Sequence, residues 1–162
     1  MTMKRLSISD GLHPEDLVQA ALHHYQAGVK LYGLSPVYFD SGGYLIHMSA
    51  ELILKAWIQE VTGSFPMTHF LVDLYKELID IALASKLSPE QNMAIALLDS
   101  YEKLRFPNRK NPVEVGDSDL TSITALHQYF LENLPNSLID KIGTINDLSK
   151  GGRVLMKKPI EK

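Results

Sequence analysis

Residues 42–61 carry apolar side chains around nearly the whole circumference of a helix: Leu45, Ile46, Met48, Leu52, Ile53, Leu54, Ala56 and Trp57. A helix with so wide an apolar surface has to be enclosed by other elements. His47, Glu51 and Lys55 interrupt the run, and charges at that density argue against a membrane span. The rest of the chain must therefore supply a shell for a central helix. Asp40 or Ser41 can cap its start and Gly63 suits its end. Gly42 and Gly43 weaken its first turn but permit a neighbour to approach closely.

The flanking sequence supplies that shell. Pro14 is a favoured first helical residue, and Leu17, Ala20, Ala21, Tyr25, Gly28 and Leu31 line one side of a helix that Gly33-Leu34-Ser35-Pro36 stops. Thr68 can cap a third helix to about residue 84, with Leu71, Leu74, Leu78 and Ile81 inward. Ser88-Pro89-Glu90-Gln91 is a capping-box start for a fourth, which ends before Pro107. Asp117 or Ser118 opens a fifth through Leu120, Ile123, Leu126, Phe130 and Leu131. A short amphipathic segment can follow at 137–148. No strand and no repeat is evident. This pattern predicts an all-α fold, an antiparallel helical bundle of about five helices over residues 1–148, with a basic tail at 149–162. A chain of 162 residues with 45% hydrophobic content is enough for one such core.

Charge and composition narrow the function. The net charge is −3, yet residues 149–162 carry +4, which leaves the body at −7. Such a body repels nucleic acid except where positive charge is concentrated. Four of the body's eleven basic residues, Lys103, Arg105, Arg109 and Lys110, fall within eight positions. There is no cysteine, which excludes disulfides, thiolate metal sites and cysteine nucleophiles. Residues 1–11 contain no long apolar stretch, so no signal peptide is expected and a cytoplasmic location is.

Three constellations could carry chemistry. His47 and Glu51 share a helix face and could contribute to a metal site. Glu51 also stands four residues before Lys55, the favoured orientation of a helical ion pair, and no second ligand pair exists, so no metal or other cofactor is expected. His69 falls at a helix start with Asp73 one turn on. Free N–H groups there could receive an anion, or the histidine could bond its own loop. Arg105, Arg109 and Lys110 sit beside Tyr101 and Phe106, forked donors next to aromatic faces as nucleotide recognition requires. Arg105 could equally serve its own helix end or pair with an acid such as Asp73. The candidate ligand-binding residues are therefore Arg105, Arg109, Lys110, His69, Tyr101 and Asp73. No catalytic motif is present.

In order along the chain stand Ala50-Glu51-Leu52-Ile53-Leu54-Lys55-Ala56, a glycine, Pro66, Thr68-His69-Phe70-Leu71 with Leu74, then Tyr101 and Leu104-Arg105-Phe106-Pro107. This ordered set resembles the HEPN family (higher eukaryotes and prokaryotes nucleotide-binding), over residues 17–131. The resemblance implies an antiparallel bundle that often dimerises. It also implies one of three roles: a ribonuclease toxin, a helical partner of a small nucleotidyltransferase, or a noncatalytic module binding RNA or a nucleotide. The ribonuclease members carry a histidine four to six residues after an arginine. Here the next histidine after Arg105 and Arg109 is His127. The expectation is a noncatalytic module, a homodimer, with Arg105 on a phosphate. The alternatives are a ribonuclease using His69 or His127, and a protein-interaction module paired with a nucleotidyltransferase or an antitoxin.

Overall fold

Among the described residues the chain forms six helices: α1 (Pro14–Leu34), α2 (Phe39–Thr62), α3 (Leu71–Asp80), α4 (Pro89–Lys103), α5 (Asp119–Glu132) and α6 (Asn136–Ile142). The computed structural model describes residues 2–110, 112 and 115–142. The expected basic tail at 149–162 lies outside them. The bundle is all-α as its periodicity requires, and α2 is its axis. Fifteen of the 24 residues of α2 are buried, because α1, α3, α4 and α5 all pack against it. Trp57, Ile46, Ile53, Leu54 and Ile58 are almost fully enclosed. No helix is long and apolar enough to cross a membrane among the described residues.

Glycines set the closest approaches. α1 folds back on α2, and a Cβ on Gly28 would lie 2.7 Å from the Gly42 carbonyl oxygen. The Gln59 amide donates to the Leu12 carbonyl at 2.7 Å at the opposite end of the pair, so the two helices run antiparallel. Gly43 faces α4, where a Cβ would meet the Tyr101 ring at 2.1 Å. The two glycines that weaken the first turn of α2 thus let it sit directly under its neighbours.

Three expectations need correction. A small sheet exists: β1 (Arg5–Ser7) pairs antiparallel with β2 (Ser64–Pro66), Leu6 opposite Phe65. Three residues are too few to show an alternating pattern, and the pairing is reinforced by a side chain. Arg5 donates to the Ser64 hydroxyl at 2.8 Å and its carbonyl at 2.9 Å, and reaches Glu77 at 2.8 Å. Next, α2 opens at Phe39 with Tyr38 at its cap position, ahead of the expected Asp40 or Ser41, whereas Ser118 does stand at the cap position of α5, whose first residue Asp119 accepts from the Gly116 N–H at 2.8 Å. Finally, α3 is shorter at both ends than 68–84. The capping box at Ser88 and Gln91 and the left-handed Gly63 after α2 (φ 90°) are as the sequence requires.

Candidate functional site

Pro107 prevents α4 from continuing, and its last turn tightens as it ends. Leu104, Arg105 and Phe106 each donate a backbone N–H three residues back, at 3.1, 3.3 and 3.3 Å. That turn faces the start of α2 across a cavity of about 380 Å³, lined by Asp40, Ser41, Tyr44, Tyr101, Leu104 and Arg105. Arg105 is the one cation in this lining. Its Nη1 lies 3.7 Å from Glu102 Oε1 and its side chain is 54% exposed. A contact that long and wet holds the guanidinium loosely and leaves most of its five donors free. The Phe106 ring centroid is 5.9 Å from the guanidinium carbon, at the outer limit of a cation–π contact.

The other candidates fall in different places. Tyr101 lines the cavity but is fully buried, its ring pressed against Gly43. Tyr32 donates to the Gly116 carbonyl at 2.6 Å, so Tyr101 must donate to the Tyr32 oxygen, 3.2 Å away. Burial first, then the bond to Tyr32 and the charges of Asp119 and Asp40, raise the pKa of the Tyr101 hydroxyl. Tyr101 is thus a wall and not a stacking face. The half-buried aromatic in the cavity is Tyr44, which the sequence reading did not single out. Arg109 and Lys110 are exposed in the turn beyond Pro107 and do not line the cavity. Asp73 does not meet Arg105; it accepts from the Thr68 hydroxyl at 3.4 Å. His69 also lies outside the lining. Its Nδ1 is 3.1 Å from Glu51 Oε1, the same oxygen that accepts from Lys55 Nζ.

The expected anion site at the start of α3 is already filled. Asp99, from the middle of α4, accepts from the N–H of Leu71 at 2.8 Å and of Val72 at 3.1 Å. It caps α3 from another helix, while the Thr68 hydroxyl accepts from the Phe70 N–H at 3.3 Å just ahead of it. The same carboxylate lies 3.1 Å from Nε2 of His47, which is completely buried. Nδ1 of His47 faces Glu102 at 3.8 Å. His47 and Glu51, four residues apart, therefore serve different networks and share no ligand. Among the described residues no group of three or more His, Asp or Glu could hold a metal ion. The hydrogen-bonded chain runs from the α3 N-terminus through Asp99 to His47 and stops there, because His47 Nδ1 has no hydrogen-bond partner and Glu102 lies 3.8 Å from it and 3.7 Å from Arg105. Asp99 carried no local signal, because its partners lie 27 and 28 residues upstream.

His127 is the other histidine weighed for acid–base work. It is fully buried, stacked on Tyr25 with ring centroids 3.9 Å apart, and its Nε2 is 2.6 Å from the Ser49 hydroxyl. Burial pushes its pKa down to about 3. Its ring is closed off from solvent. Against known families, the HEPN domain model matches residues 14–137. No curated protein and no solved structure matches the chain.

Proposed function

Because the chain belongs to the HEPN family, whose members work on RNA or nucleotides, we propose that it is a noncatalytic module that binds a nucleotide or RNA phosphate at Arg105. The carrying observation is the cavity between α2 and α4, where an exposed guanidinium stands free of any tight internal ion pair. A guanidinium supplies the paired N–H donors that fit a phosphate's oxygens. The absence of histidine from that lining favours binding over RNA cleavage, which needs a proton-transfer group in reach. A homodimer belongs to the same proposal through the family, and a helical module paired with a nucleotidyltransferase or an antitoxin is the alternative.

The test is Arg105→Ala, with nucleotide binding followed by calorimetry and folding by circular dichroism. A forked charge-assisted contact contributes about 1.5–3 kcal/mol, so affinity should fall roughly tenfold or more while the bundle stays folded. Unchanged affinity at low salt would remove Arg105 as the phosphate contact. Light scattering at micromolar concentration should give twice the chain mass if the dimer is right.

A further inference from the structure

The Arg105 cavity has a second charged wall. Asp40, exposed in the first turn of α2, lines it together with Ser41. The ion-pair partner of Arg105 is Glu102 and not Asp40, and Asp40 and Arg105 both line the cavity. Asp40 also bears on the cavity floor: with Asp119 it contributes negative potential at the hydroxyls of Tyr101 and Tyr32. The same lining holds Tyr44 and Leu104, a flat aromatic and an apolar contact.

Each of these features restricts the ligand. A carboxylate accepts hydrogen bonds and cannot donate them, so it repels a second phosphate and welcomes N–H or O–H groups. The cavity's volume, about 380 Å³, is at the low end of the roughly 300–1,000 Å³ typical of small-molecule sites. That volume admits one nucleotide. We propose that the cavity selects a nucleoside monophosphate, its single phosphate on Arg105 and a pair of adjacent donors on Asp40. The donor pair is either the ribose 2′,3′-diol or the N1–H and amino edge of guanine. Tyr44 and Leu104 cover the body of the ligand. This selection rests on Arg105 being the phosphate contact.

Calorimetry on the full chain separates the possibilities. The probes are AMP, 2′-deoxy-AMP, GMP, 2′-deoxy-GMP, inorganic phosphate and a short RNA oligonucleotide, against wild type, Asp40→Asn and Arg105→Ala. Wild type should bind at least one monophosphate more tightly than inorganic phosphate or the oligonucleotide. Asp40→Asn should weaken that monophosphate about tenfold and leave inorganic phosphate unchanged or tighter. A loss on removing the 2′-hydroxyl identifies the ribose as the donor pair. Preference for GMP over AMP, kept in the deoxy series, identifies the guanine edge. If Asp40→Asn binds every monophosphate as wild type does while Arg105→Ala weakens them, the selection is wrong and the phosphate site stands. Tighter binding of the oligonucleotide than of any monophosphate also overturns the selection. If Arg105→Ala changes nothing, both fall.

Discussion

His127 shows how far a single buried side chain can tie stability to pH. In the folded chain its pKa is pushed down to about 3 by burial, whereas an unfolded histidine titrates near 6.5. Below about pH 6.5 the unfolded chain takes up a proton that the folded chain refuses until about pH 3. Stability contributed by this residue is therefore present at neutral pH and lost as pH falls through that window. Between pH 7 and pH 5 the loss amounts to about 2 kcal/mol. Urea unfolding should show wild type losing about that much more over this interval than His127→Gln, whose amide does not titrate in the range. Equal losses in both proteins would mean His127 is protonated in the fold. At this scale the sequence was only partly legible. Arg105 stood out because basic residues are few and clustered. Tyr101 stood out for the wrong reason, since proximity in sequence to Arg105 says nothing of which ring is covered. Asp40, Ser41 and Tyr44 lie some sixty residues from Arg105 and reach it only through the packing of α2 against α4.

α3 illustrates the element scale. Its apolar spacing reads as helix through residue 84, yet it ends at Asp80. Among the described residues Ala82 is the one non-glycine residue with positive φ, at 60°. Its N–H donates to the Ile79 carbonyl at 2.9 Å, and the Leu83 N–H to the Leu78 carbonyl at 2.9 Å. That pair of bonds is the Schellman termination, which ordinarily uses glycine at the left-handed position. Alanine, the strongest helix former, hid the stop. The left-handed conformation costs an L-residue about 1–2 kcal/mol, while glycine's extra freedom in the unfolded chain offsets part of any relief. Ala82→Gly should therefore stabilise the protein by up to about 1 kcal/mol, measured as a higher urea midpoint with an unchanged slope. A lower midpoint would mean that the turn is not strained as drawn. By contrast the C-terminal end of α2 and the start of α4 were readable from Gly63 and from Ser88 with Gln91, where the terminating chemistry is local. The start of α3 was not, because its cap, Asp99, arrives from α4.

For the whole molecule, charge layout decides what kind of nucleic-acid ligand is affordable. The body carries −7 within a chain of net −3, and the lining of the Arg105 cavity holds one cation and one carboxylate. A protein that neutralises several phosphates loses affinity steeply with salt. The logarithmic slope is about −0.7 to −0.9 per phosphate contacted. A single phosphate on Arg105 therefore predicts a slope near −1 or shallower, with Arg109 and Lys110 contributing through potential and not through contact. The measurement is the dissociation constant of a monophosphate and of a short RNA between low and moderate salt, for wild type and for the double variant Arg109→Ala, Lys110→Ala. A shallow slope, unchanged in the double variant, fits a one-phosphate site. A slope of about −2 or steeper that collapses in the double variant would mean that the exposed turn beyond Pro107 grips an extended strand. In that event the acidic wall at Asp40 would be a bystander, and the binding surface would run outward from Arg105 along Arg109 and Lys110 instead of inward toward α2.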